Sequence, residues 1–131
     1  MRKVLIAVGV VVAVFIGVFA LNSGQKTEQA EKVSFANIES AMSDGSKLID
    51  VREDYEFSEG HVLGATSLPL SQIQSSSIGD LDKNKTHYLY CRSGNRSAQA
   101  TAILTAAGYN IVDLGSIGSV ADLGGQICTN C

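Results

Sequence analysis

The stretch YLYCRSGNRSAQA, residues 88–100, holds the residue types best suited to chemistry. An apolar run stops at Cys91. Arg92, Ser93, Gly94, Asn95, Arg96 and Ser97 follow, and the chain then takes on an alanine-rich helical pattern. A cysteine at the end of a strand and just before a helix faces the unpaired N–H groups of the loop and the positive end of the helix. Those groups favour negative charge, so the thiolate is available near neutral pH. Arg92 and Arg96 add positive charge suited to an anionic substrate. Gly94 allows a positive φ or a close approach. The pattern favours nucleophilic attack by sulfur on an anion, with a covalent intermediate held in a ring of N–H donors.

Other reactive side chains lie elsewhere. Asp50 and Arg52 stand at the end of a second apolar run and are expected to pair with each other or with the Cys91 loop, supporting its geometry. His61 reads as a loop-fixing hydrogen-bonding group, and His87, at a strand start, as structural. Residues 53–59, EDYEFSE, read as a solvated acidic face. Cys128 and Cys131 close the sequence as CTNC, a spacing that suits a local disulfide, a redox pair that accepts sulfur from or resolves Cys91, or half of a zinc site.

The elements that must position these groups follow from periodicity. Ser34 is an N-cap, with Val33 and Ile38 as a hydrophobic staple and Phe35, Ile38 and Met42 on one face of a helix that Gly45 ends. KLIDV (47–51), ATSLPL (65–70), THYLYC (86–91) and NIVDL (110–114) read as short buried strands. Residues 52–61 read as a loop with a helical turn, and 71–78 as a weak helix. Ala100, Ile103, Leu104 and Ala107 repeat at helical spacing before Gly108. Alternating strands and helices predict an α/β domain with a mainly parallel sheet flanked by helices. Beyond Leu114 the glycine-rich sequence predicts no clear element.

The start of the chain differs in kind. Met1, Arg2 and Lys3 precede an uncharged apolar run, Val4–Leu21. Residues 1–21 read as a signal peptide, cleaved after Ala20, or as an N-terminal membrane helix through residues 4–21. Either keeps Arg2 and Lys3 cytoplasmic and exports the rest, to the periplasm or the outer face of the inner membrane. Residues 22–32 read as a polar linker, 33–127 as the folded domain and 128–131 as a CxxC tail. Without Arg2 and Lys3, 8 basic side chains face 13 acidic ones. An acidic domain without a basic, aromatic-studded stripe argues against nucleic-acid binding.

CRSGNRS (91–97) resembles the active-site loop of the rhodanese family, the single-domain sulfurtransferases. LIDVREDYEFSEGHVLGATSLPL (48–70) resembles the family's other signature, with Asp50-Val51-Arg52, Glu59-Gly60-His61, Gly64-Ala65 and Leu68-Pro69 in order. The resemblance covers roughly residues 33–114, and the apolar start is similar to periplasmic rhodaneses of the phage-shock type. It implies about five parallel strands and a Cys91 that attacks the outer sulfur of thiosulfate, releases sulfite, and passes the bound sulfur to cyanide or a thiol. It further implies that the N–H groups of Arg92–Ser97 cradle the persulfide, that Arg92 and Arg96 engage the anion, and that no metal or organic cofactor takes part. Phosphatases and arsenate reductases have five residues between cysteine and arginine; four separate Cys91 from Arg96, a shorter ring better suited to one sulfur atom. A non-catalytic persulfide carrier, or a redox module joining Cys91 to Cys128 and Cys131, is the alternative. The family's closing tryptophan is absent, since the chain has no Trp, which leaves the last helix open.

Overall fold

The computed structural model describes residues 32–131. The signal peptide or anchor expected over 1–21, and nearly all of the linker expected over 22–32, lie outside these residues. Among the described residues no helix is long and apolar enough to cross a membrane.

The first helix, α1 (Phe35–Ser43), starts where expected: Ser34 Oγ accepts from the Asn37 N–H at 3.3 Å, and Phe35 and Ile38 are buried. Then come β1 (Leu48–Asp50), α2 (Asp54–Glu59), β2 (His61–Val62), β3 (Thr66–Ser67), α3 (Leu70–Gln74), β4 (Thr86–Cys91), α4 (Asn95–Ala106), β5 (Asn110–Ser116), α5 (Ile117–Asp122) and β6 (Ile127–Cys128). Four strands form the main sheet in the order β3-β1-β4-β5, every pairing parallel. β2 and β6 form a separate antiparallel pair.

Among the described residues the main sheet is therefore one strand short of the expected five. β2 does not join it. The Val62 N–H goes to the Tyr90 phenol oxygen at 3.0 Å, and the Leu63 N–H to the Gln126 carbonyl at 2.7 Å. A side chain and the tail take donors that a sheet neighbour would otherwise need.

Residues on β4 alternate between two cores, as a two-sided strand requires. Leu89 and Cys91 join Ile49, Val51, Leu70, Ile73, Ala100 and Leu104 on the side of α3 and α4. Tyr90 joins Phe35, Ile38, Leu48, Val62 and Val120 on the side of α1 and α5. The helical repeat read for α4 holds at Ala100 and Leu104, whereas Ile103 is 36 % exposed. Ser97, Ala100 and Leu104 form its buried stripe.

The C-terminal part departs most from expectation. α5 forms although its composition is weak: Ser116 caps it by accepting from the Ser119 N–H at 3.0 Å, and Val120 is fully buried. Gly125 lets the chain pass close by, because a Cβ there would meet Val120 at 3.0 Å and Phe35 at 3.1 Å. Cys128, read as the start of a tail, lies within β6 opposite His61.

Candidate active site

The carboxyl end of β4 delivers Cys91 into the core, fully buried. Three residues later Gly94 takes a left-handed conformation, φ 98°, and caps α4. That turn aims the Gly94 N–H at Cys91 Sγ, 2.9 Å away. Ser97, buried in the first turn of α4, places Oγ 3.7 Å from the same sulfur and donates to the Gly94 carbonyl at 3.0 Å. Burial alone would raise the Cys91 thiol. The N–H and hydroxyl of Ser97, with the N–H groups of Gly94 and Ser93, outweigh it and hold the thiol below its usual value. Cys91 is a free thiol.

The two arginines part company. Arg92 is exposed and has no ion pair among the described residues. Arg96, expected to engage an anion, binds Glu56 through both ends of its guanidinium: Nη1–Oε2 2.5 Å and Nη2–Oε1 3.0 Å. The Arg96 hydrogen bonds hold the Glu56 carboxyl down to about 2; burial opposes them, and the Glu53 N–H assists. Glu56 thus fastens α2 to the first turn of α4. It was missed in the acidic run 53–59, although it is 8 % exposed. Its signal was Glu53 three residues before it, the spacing of a reciprocal capping box, which the structure contains.

Asp50 and Arg52 pair with each other. Arg52 Nη2 is 2.6 Å from Asp50 Oδ2 and donates to the Gly60 carbonyl at 2.7 Å, while the Arg52 N–H returns to Asp50 Oδ1 at 3.0 Å. They tie the end of β1 to the turn before β2 rather than to the Cys91 loop. Ser93 and Asn95 are exposed, and Asn95 Oδ1 accepts from Gln99 at 3.0 Å. His87 is buried with both nitrogens used: Nδ1 accepts from the Lys47 N–H at 3.0 Å, and Nε2 donates to the Asp82 carbonyl at 2.8 Å. Cys128 and Cys131 form a disulfide beside His61. Among the described residues no three His, Cys, Asp or Glu side chains converge as a metal site would require.

Comparison with known proteins supplies the kinship. The model of the rhodanese-like domain matches residues 34–117. YqhL of Bacillus subtilis strain 168 is 43% identical over 63 residues, 48% of this chain and 49% of that protein. The thiosulfate sulfurtransferase PspE of Escherichia coli K12 is 38% identical over 66 residues, 50% of this chain and 64% of that one. The match thus spans about half to under two thirds of these relatives' lengths. A crystal structure of a rhodanese-related protein from Thermoplasma volcanium superposes with a TM-score of 0.60 at 29% identity, covering 75% of this chain and 97% of that one. Its α/β fold, with a mainly parallel sheet flanked by helices, is the fold described above. The Cys91 loop and the second signature both fall within the matched residues, and the chain belongs to the family of rhodanese-like domains.

Proposed function

We propose that the chain is a sulfurtransferase that carries sulfane sulfur as a persulfide on Cys91, with thiosulfate or a similar anion as donor and a thiol or cyanide as acceptor. The observation that carries this reading is the Gly94 N–H pointing at Cys91 Sγ from 2.9 Å, across a turn only glycine adopts easily. The thiosulfate sulfurtransferase named among the relatives supports the same chemistry.

The Cys91 thiolate attacks the outer sulfur of thiosulfate. The new S–S bond forms as the donor's S–S bond breaks, and sulfite leaves with the electron pair. The persulfide that remains is negative at its outer sulfur, where the loop N–H groups act as an oxyanion hole acts on oxygen. An acceptor nucleophile then takes the outer sulfur and returns the Cys91 thiolate. Arg92, exposed at the mouth, attracts the donor; Arg96, held by Glu56, keeps the loop in shape. The tight enclosure of Cys91 suits a single sulfur atom better than a tetrahedral phosphorus or arsenic centre. Neither a metal nor an organic cofactor enters this cycle. The apolar start of the chain supports a place outside the cytoplasm, in the periplasm or on the outer face of the inner membrane.

Thiosulfate with cyanide should yield thiocyanate, and Cys91→Ser should abolish it. Thiosulfate alone should add the mass of one sulfur atom at Cys91, seen by intact-protein and peptide mass spectrometry. A purified chain that makes no thiocyanate and never gains that mass would overturn the reading.

A further inference from the structure

The tail cysteines line a groove that includes no residue of the Cys91 loop and does include His61. Cys128 is half-buried in β6, and Cys131 is exposed. The His61 ring is fixed between them and α2: it stacks on Phe57 at 3.7 Å, and its Nδ1 lies 2.9 Å from the Phe57 carbonyl oxygen. A carbonyl only accepts, so Nδ1 of the neutral ring holds the proton and Nε2 holds the lone pair. That Nε2 is 3.5 Å from Cys131 Sγ. An open groove of about 340 Å³ adjoins the pair, bordered by Phe57, Ser58 and Thr129. Among the described residues of its lining, His61 and the two cysteines are the only ionisable side chains.

We propose that Cys128, Cys131 and His61 form a thiol–disulfide exchange site, independent of sulfur transfer at Cys91, whose substrate is a disulfide presented in this groove. In the reduced protein, Cys131 passes its proton to His61 Nε2 and becomes the attacking thiolate. It forms a bond to one substrate sulfur while the substrate S–S bond breaks, and the departing thiolate takes the proton back from His61. The Cys128 thiol, losing its proton to solvent, attacks Cys131 Sγ. The Cys128–Cys131 bond forms, and the second substrate thiolate leaves. The protein dithiol is oxidised by two electrons, and the substrate disulfide is reduced to two thiols. A dithiol reductant, acting through the reverse steps, restores the pair. Exposure and the histidine contact assign attack to Cys131; its place in β6 assigns resolution to Cys128.

The test uses the full chain carrying Cys91→Ser, so that only the tail thiols report and failure at Cys91 has no bearing on the result. After reduction and removal of the reductant, dithiodipyridine serves as the disulfide probe, its released thiol read by absorbance. Both protein thiols should be consumed without accumulation of a mixed disulfide. Adding Cys128→Ser should trap the adduct on Cys131, whereas Cys131→Ser should leave Cys128 slow to react. Adding His61→Asn, which keeps an N–H for the Phe57 carbonyl, should slow the first step near neutral pH by about tenfold, the thiolate population of one pKa unit. Alkylation of Cys131 in the Cys128→Ser protein should show an inflection below the ordinary thiol value of about 8.5, a readout that needs no histidine variant. An ordinary inflection there, or equal reactivity of Cys128 and Cys131, would sink the proposal.

Discussion

Around Cys91 the Arg96–Glu56 pair decides where charge is fixed and where it is free. Two hydrogen bonds join the guanidinium to a carboxylate that is nearly buried, so the cation holds the loop in place. The pair also has a pH signature. Glu56 titrates near 2 in the folded chain, below its ordinary value of 4.5, chiefly because of Arg96. A carboxyl depressed on folding contributes stability that is complete above the ordinary value and lost as pH falls through the folded one. Wild type should therefore exceed Glu56→Gln in urea stability near neutral pH, and the gap should shrink from about 4.5 downward and close near 2. A gap that stays constant over that range would show that the charge of Glu56 contributes nothing. The variant should also load sulfur from thiosulfate more slowly, since the first turn of α4 loses its anchor to α2.

The turn from β4 into α4 depends on backbone more than on side chains. Gly94→Ala has room, because the added Cβ would sit 3.6 Å from Gly115 Cα, but it must hold φ near 98°. A non-glycine residue in that region costs about 1–2 kcal/mol. Relaxing the turn would draw the Gly94 N–H away from the sulfur. The expected outcome is lower thermal stability and a Cys91 alkylation profile shifted to higher pH; an unchanged profile would mean that Ser97 and Ser93 suffice. This unit was readable in the sequence because local rules agree there: apolar THYLYC is β4 residue for residue, and a polar, glycine-containing loop ends it. α2 was legible only as a helical turn within 52–61, and α5 was not readable. Each has six residues and a single buried side chain, Glu56 in one and Val120 in the other, so tertiary contacts stabilise them and no periodicity announces them. β6 was hidden for a similar reason, because two residues paired across a ladder leave no pattern.

Over the domain as a whole, the sheet has a core on each face, and hydrogen bonds outside its ladders join the small β2–β6 pair to it. Tyr90 supplies one of them. Its phenol oxygen accepts the Val62 N–H at 3.0 Å, and both residues are fully buried. Tyr90→Phe would strand that N–H, at a cost of about 1–3 kcal/mol. Its urea midpoint should fall at an unchanged m-value, and a midpoint equal to wild type would mean that β2 finds another acceptor. The pairing of Arg96 with Glu56 also reaches beyond the loop, into how ligands arrive. Without Arg2 and Lys3 the chain carries 8 basic side chains against 13 acidic ones, and fields from exposed charges fade over about 8 Å in physiological salt. A distant anion therefore meets a weakly repelling body, and only at the mouth does it meet Arg92, with Arg96 already neutralised. Encounter with an anionic donor of the kind proposed is then ordinary diffusion followed by short-range capture, not long-range steering. Such a protein discriminates by what fits the loop after contact, and depends little on the ionic strength of its surroundings.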